Sequence, residues 1–505
     1  MNKRRTRPAF AYGSVIEALS FGLYPEKEHV IREFIQNAFD ALDEWKRLGV
    51  NGSLSPIEIR VEPPSIVIAD RGLGMDQKRV NQFRYLGYSE KQHGQTAGFR
   101  GIGKNSGFAV AEKIIVTTSK YGVPKKFQVA IDASEMLDEI KRTKNPPLDE
   151  LLKKHSSLVS YPDEKDSHYT VVELHGIRSD ANTLFDLQKL KRYICKNAPL
   201  PFDPSFKFGN KIARQLESNI PNYLAVDISF NGERLYKPFL ENSTDPEFQE
   251  IFLTDQEDSS LTAYSWYCQN KGKGQFADRD SSGLIFRVRN FAVGDRHLTR
   301  KELWEKTPER AFYFFGEVHV LDSEVLPSSD RSNFEDNEAR GRLYTRSKRI
   351  AQVLSRKAGE ESEIRRFAEV TENAGQLVAS KGDLIRRGAI PKELKTDIEF
   401  AVRKALDDVQ TRLRRTRGKK KRDAREKSLM QEAEGVVKKA KRLISQIENG
   451  PRSFVDLEKA LRFNEQTREV YRIIVDCLRE HFRDDMAAFE GIVEKIHVAL
   501  RQNLK

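Results

Sequence analysis

Glu33, Asn37 and Asp40 stand at i, i+4 and i+7, so on a helix they share one face and point the same way. A carboxylate there can polarise a water, and an amide oxygen is a hard ligand suited to a hard cation. The same stripe is also what an ordinary solvated helix face looks like, so these three residues decide nothing alone. The residues between them specify the helix. Ile31, Phe34, Ile35, Ala38 and Leu42 recur at i, i+3, i+4, i+7 and i+11 and form an apolar stripe that must pack on a core, so 31–45 reads as one amphipathic helix.

Two strands follow. Ile57–Glu62 alternates strictly and reads as half-buried, and Ser65–Ala69 is a second strand ending at Asp70-Arg-Gly72-Leu-Gly74-Met75. Glycines let backbone approach a ligand closely, and a carboxylate at a strand end can accept a hydrogen bond from an exocyclic amine such as that of adenine. A hairpin turn uses the same residues. Residues 76–94 are polar and mixed and read as a mobile lid.

Gly98-x-x-Gly101-x-Gly103-Lys104 then precedes Phe108-Ala-Val-Ala111 and the strand Lys113–Thr118. Spaced glycines that open a helix expose N–H groups and a positive helix end, a setting for phosphate to which Lys104 adds a point charge. The spacing is neither the dinucleotide fingerprint nor the Walker loop, which disfavours the parallel-sheet nucleotide folds. In the alternating strand Tyr169–His175, Thr170 presents a hydroxyl or serves as a plain strand former.

The order of these pieces resembles the GHKL ATPase superfamily of gyrase, the ninety-kilodalton heat-shock chaperones, histidine kinases and MutL. Arg32-Glu-Phe-Ile-Gln-Asn-Ala-Phe-Asp-Ala-Leu-Asp43 is similar to the chaperone version of the helix, and Gly107–Lys113 to the segment after its second glycine box. The resemblance implies helices layered on a mixed or antiparallel sheet, with ATP between the helices and the lid. It implies Glu33 as general base, Asn37 as the Mg²⁺ ligand, and Asp40 near the nucleotide. Asp70 would hold the adenine amine with Gly72, Gly74 and Thr170 in support and Met75 lining the base pocket. Gly98, Gly101 and Gly103, with Lys104, would wrap the phosphates.

Pro199–Pro204 is proline-dense and reads as a boundary. Beyond it, Ala225–Phe230, an Asn231-Gly232 turn, Arg234–Tyr236, Leu261–Cys268 and Leu284–Arg289 read as strands of an α+β segment. Phe315–Asn333 resembles the middle domain of the same chaperones, where an arginine reaches the γ-phosphate held by the neighbouring ATPase domain; the matching residue is Arg331. Ser328-Ser-Asp330 replaces the usual residues before it.

From Arg346 onward glycine and proline thin out. Val402, Leu406, Val409 and Leu413 form one apolar seam, Ala433 to Ile447 a second, and Phe482 to Leu500 a third, as in a helical hairpin or coiled coil. The basic segment 412–427 joins the first two and suits either a solvated helix connection or phosphate contacts.

The expected fold class is α+β, with an ATPase domain at 10–185, a middle domain at 190–345 and a helical, coiled-coil region at 346–505; a chain of 505 residues with 38% hydrophobic residues can bury that many cores. A net charge of +12 favours anionic partners. The three cysteines, Cys195, Cys268 and Cys477, fit neither a disulfide framework nor a zinc site. No long apolar run indicates a membrane span, so a soluble, cytoplasmic protein is expected. The functional expectation is a Mg²⁺-dependent ATPase working as an ATP-gated homodimeric clamp on a client protein. The alternative is a nucleic-acid clamp of MORC or MutL type acting on DNA in genome maintenance or phage defence.

Overall fold

The computed structural model describes residues 13, 26–49, 54–83, 103–143, 146–239, 243–252, 260–270, 274–387, 390–391, 394–419, 424–449, 454–455 and 463–503. The chain divides into two units, Met1–Ala358 and Gly359–Lys505.

In the first unit, alternation in the sequence becomes a sheet with one apolar face. Strands β1 (Ile57–Glu62), β2 (Ser65–Asp70), β3 (Ala111–Ser119), β4 (Lys125–Asp132), β5 (Ser156–Pro162), β6 (Tyr169–Ile177), β7 (Ile228–Phe230) and β8 (Glu233–Arg234) lie in the order β5-β4-β3-β6-β2-β1-β7-β8. Every pairing is antiparallel except β1 with β7, so the sheet is mixed, as expected. Ile57, Ile59 and Val61, Ile66 and Ile68, Ile114 and Val116, and Val172 and Leu174 recur at every second position and are buried.

Helix α1 (Glu28–Arg47) packs its stripe of Ile31, Phe34, Ile35, Ala38 and Leu42 into the same core. Its twenty residues bury more than one face. At about 100° per residue, Arg32, Gln36, Phe39 and Asp43 form a separate side, and all four are buried as well. The second sheet of this unit accounts for that. It runs β12-β11-β13-β10-β9, with β9 (Glu247–Phe252), β10 (Leu261–Gln269), β11 (Gly283–Val288), β12 (Phe291–Val293) and β13 (Phe314–Val320). The β11–β12 turn reaches α1, where Phe291 meets Phe39 edge to face at 5.3 Å and Arg289 pairs with Asp43.

Several sequence expectations change. The strand expected from Ala225 begins at Ile228, and the strand expected over Arg234–Tyr236 is Glu233–Arg234. Both strands extend the first sheet instead of the second. Pairing parallel to a strand some 170 positions earlier, as Ile57 pairs with Ile228, leaves no local signature. The expected lid opens with the helix Gln77–Phe83, whose Val80 is fully buried, so this part belongs to the core; 84–94 fall outside the described residues. The glycine run leads into a 3₁₀ helix, Gly103–Ala109, and not an α-helix.

In the second unit Leu394–Arg417 and Ala424–Asn449 form a helical hairpin that buries Val402, Val409, Leu413, Ala433, Ala440, Ile444 and Ile447 of the first two seams, with Leu406 and Val437 half-buried. Of the third seam, Phe489 and Val493 are buried on Met486–Asn503, while Phe482 sits at the end of the preceding helix, Glu465–His481. Among the described residues no helix is long and apolar enough to cross a membrane, and all three cysteines are free.

Candidate functional site

The site begins with the end of a strand. On β2 the buried positions are Ile66, Ile68 and Asp70, so the strand's own alternation turns the Asp70 carboxylate to the apolar side of the sheet. Asp70 pairs in register with Thr170 on β6, and Thr170 with Thr118 on β3. Three polar side chains therefore form a row across one end of an otherwise aliphatic face.

The two threonines of the row are hydrogen-bonded. Thr118 donates its hydroxyl to Tyr169 O at 2.9 Å, accepts the Met75 N–H at 3.0 Å and lies 3.1 Å from the Thr170 hydroxyl. Thr118 was not singled out by sequence, although alternation from Ile114 through Val116 places it on this face. Asp70 Oδ1 accepts the Gly72 N–H at 2.8 Å, and Oδ2 accepts no bond among the described residues. Burial pushes the Asp70 carboxyl up to about 7 from 3.8, and the Gly72 N–H only partly offsets this.

The two glycines after Asp70 are dictated by space. A β-carbon at Gly72 would lie 2.5 Å from the Ala41 carbonyl carbon of α1. Gly74 has φ of +72°, and a β-carbon there would lie 1.8 Å from Ser119 O. The loop is thus pressed between α1 and β3. Leu73 N–H donates to Ala41 O at 3.2 Å, and His168 Nδ1, its ring stacked on Trp45, lies 3.0 Å from Gly72 O.

On α1, Glu33 is half-buried and accepts the Gln36 amide at 3.1 Å, with Arg32 Nη2 3.7 Å away. A general base needs to be held in this way. Asn37 is half-buried one turn on, and Asp40 is buried on the same face. Among the described residues no cluster of three His, Cys, Asp or Glu side chains is placed to hold a metal ion. One amide oxygen fits an ion that keeps most of its shell as phosphate and water, which is how Mg²⁺ is usually held.

Arg331 comes from the loop after β13 and is buried with φ of +55°. Its N–H donates to Ser328 O at 2.9 Å, its carbonyl accepts the Gly294 N–H at 2.7 Å, and its guanidinium lies 5.6 Å from the Phe291 ring centre. Burial and the charge of Arg32 pull this arginine down to about 10, against the opposing pull of Glu33 and Asp40. The structure therefore seats the Arg331 loop on α1 through Arg32 and through Phe291 on Phe39, with the charges of Glu33 and Asp40 acting on the guanidinium, and brings Asp70, Gly72, Gly74, Met75 and Thr170 together at the sheet end. Gly103 and Lys104 open the 3₁₀ helix, while Gly98 and Gly101 lie outside the described residues.

Residues 25–161 match the family described as histidine kinase-, DNA gyrase B-, and HSP90-like ATPase. This segment is a GHKL domain. Asp70 and Thr118 lie inside the matched residues, Thr170 and Arg331 beyond them. The GHKL match extends to chaperones. The chain is 36% identical over 118 residues to the chaperone protein HtpG of Borreliella burgdorferi, covering 19% of each protein. It is 28% identical over 180 residues to heat shock protein 90-5, chloroplastic, of Arabidopsis thaliana, covering 30% of this chain and 23% of that one. With HtpG of Rickettsia massiliae it shares 27% identity over 204 residues, 36% of this chain and 29% of the relative. The chain thus spans less than a third of the length of these relatives.

Proposed function

We propose that this chain binds ATP with Mg²⁺ and hydrolyses it, working as an ATP-gated homodimeric clamp of chaperone-like type. The observation that carries the reading is the buried Asp70 of the segment that matches the GHKL family, one oxygen fixed by Gly72 and the other available, in register with Thr170 of a bonded threonine pair. Asp70 Oδ2 accepts the adenine amine, with Thr170, Thr118 and Met75 shaping that wall and Gly72 and Gly74 letting the base approach backbone. Asn37 holds the Mg²⁺, with Asp40 beside it, and the ion neutralises phosphate charge when bound. Gly98, Gly101, Gly103 and Lys104 surround the phosphates.

Glu33, oriented by Gln36, takes the proton of the attacking water, and Arg331 stabilises charge that develops on the transferred phosphoryl group. The likeness to HtpG and heat shock protein 90-5 supports a protein client. Phosphate release from ATP, measured with and without Mg²⁺, tests the hydrolysis. Sedimentation with a non-hydrolysable ATP analogue tests the clamp: a protein that stays monomeric at micromolar concentration excludes it.

One feature favours the nucleic-acid reading. Arg412, Arg414, Arg415 and Lys427, at the facing ends of the helical hairpin, stand in no ion pair among the described residues. Cations left without partners suit a phosphate backbone. Duplex DNA binding that weakens steeply with salt, with stimulated ATP turnover, supports this reading; absence of both removes it.

A further inference from the structure

A cavity of about 190 Å³ is lined by Phe39 of α1 and by Asn222, Arg289, Asn290, Asp322 and Arg331 among others. Its backbone is unusual. Among the described residues five non-glycine residues have left-handed φ: Asn222, Asn231, Arg289, Asn290 and Arg331. Asn231 sits in the β7–β8 turn, where two-residue hairpins require it. The other four all line this cavity.

Asparagine tolerates that conformation; arginine adopts it only under strain. Arg289-Asn290 is itself a two-residue turn, between Val288 and Phe291, where Asn-Gly would be the unstrained choice. The chain instead holds two arginines in a disfavoured backbone state at one cavity. Strain of this kind persists where the surrounding structure over-determines it, and it clusters at ligand sites.

The polar atoms of the lining separate into those already engaged and those that are not. Arg287 is committed to Glu317 and to Asn290 O, and Asn290 accepts from Lys237 and donates to Leu224 O. Asp322 turns an oxygen to the Glu324 N–H at 2.9 Å. Arg289 uses Nη2 on Asp43, but its Nε is buried and donates to no acceptor. A buried guanidinium N–H without an acceptor is destabilising, and an oxyanion bound beside it would supply one.

We infer that this cavity is a second ligand site, taking a compact organic oxyanion, a carboxylate or a phosphate monoester, between Arg289 and Arg331. Its volume of about 190 Å³ is below the roughly 300–1,000 Å³ of pockets for drug-sized ligands, so the occupant is small. Arg331 faces two ways: it lines this cavity, and the charges of Glu33 and Asp40 act on it. An oxyanion here competes with those carboxylates for the guanidinium and slows turnover. That consequence rests on the role proposed for Arg331; the binding itself does not.

The test uses the full chain without nucleotide and two probes, malonate and methyl phosphate, in titration calorimetry and in crystals. One probe molecule per chain is expected, between Arg289 and Arg331; the tighter of the two identifies the chemistry. Arg289→Lys keeps a cation for Asp43 but lacks the Nε donor and should bind roughly tenfold more weakly or worse. Ser323→Trp, which fills the lining from an exposed position, should also abolish binding, and it decides the matter if Arg289→Lys does not fold. Equal affinity in all three proteins, density elsewhere, or binding at crystal concentration only overturns the proposal. A separate measurement of ATP turnover with the tighter probe should show kcat reduced severalfold at unchanged KM. Absence of calorimetric binding to the unaltered chain counts against the cavity alone, whereas absence of any ATP turnover counts against the function proposed above.

Discussion

Arg32 donates from Nη2 to the backbone carbonyl of Asp330 at 2.8 Å, joining two residues 298 positions apart. The bond seats the loop that carries Arg331 directly on the helix that carries Glu33. The Arg331 loop is thus fixed on α1 within the first unit of one chain, and under the proposed function Arg32 is a positioning residue for Arg331.

Arg32→Ala should therefore lower kcat by roughly tenfold to a hundredfold with little change in ATP affinity, since only the loop is released. Arg331→Ala should lower kcat by about 10³ or more, as loss of an inserted arginine does in phosphoryl transfer. The two losses should be markedly less than additive because both act through one guanidinium. A double variant whose kcat loss equals the product of the single losses would separate Arg32 from Arg331.

For Glu33 the expected outcome is retained binding with lost turnover. Glu33→Ala should bind ATP within severalfold of the wild type and lose about 10²–10⁴ in kcat, the usual weight of a general base. Gln36→Leu removes the amide that holds Glu33 and should cost roughly tenfold in kcat, with the pH dependence of kcat displaced. Single-turnover measurements separate this from slow product release. An unchanged rate in Glu33→Ala would refute the assignment.

Asp70 makes a prediction about pH. Its carboxyl ionises near 7 in the folded protein against 3.8 when exposed, so between those values the folded chain holds a proton that the unfolded chain has lost. Stability therefore falls as pH rises from about 4 to 7, by up to roughly 4 kcal/mol at 1.36 kcal/mol per unit. Asp70→Asn should melt higher than the wild type at pH 8 and nearly the same at pH 4. ADP affinity should change the other way, because the ionised carboxylate is the form that accepts the adenine amine. It should tighten by about tenfold between pH 6 and pH 8 in the wild type beyond any change seen in Asp70→Asn. Parallel pH profiles in the two proteins would contradict this.

The positions of Glu33, Asn37, Asp40 and Asp70 were legible because their signals are local. The stripe of Ile31 to Leu42 fixed the orientation of α1, and that orientation fixed where Glu33, Asn37 and Asp40 point. Alternation in β2 likewise put Asp70 on the buried side. What stayed hidden depends on distant partners. Phe39 and Asp43 read as ordinary helix positions until Phe291 and Arg289, about 250 residues later, cover them. Strands β7 and β8 had a clear turn, but nothing in their composition names β1 as the neighbour. Thr118 looked like any strand threonine, and it acquires a role only when the register sets it beside Thr170.

Glu317 tests whether the second sheet holds its turn against α1 through buried charge. Its carboxylate, at the centre of β13, accepts from Lys237 at 2.9 Å and 3.0 Å, from Trp266 at 3.0 Å, and from Arg287. Burial alone would raise this carboxyl, but Arg287, Lys237 and His319 hold it well below the usual range. Its contribution to stability is therefore present above the unfolded value near 4.5 and is lost as pH falls through the lower folded value. Glu317→Gln keeps the shape but strands Lys237 and Arg287 without a counter-charge, at a cost of about 3–5 kcal/mol. Adding Lys237→Met removes one stranded cation and should restore part of that loss, a sign of direct coupling. Arg287 also donates to Asn290 O at 2.8 Å, so the network fixes the turn that presses Arg289 and Phe291 on α1. Glu317→Gln should accordingly depress kcat as well as the melting temperature, and Lys237→Met should recover both together. Recovery of stability without recovery of rate would mean that this turn does not set the geometry at Glu33.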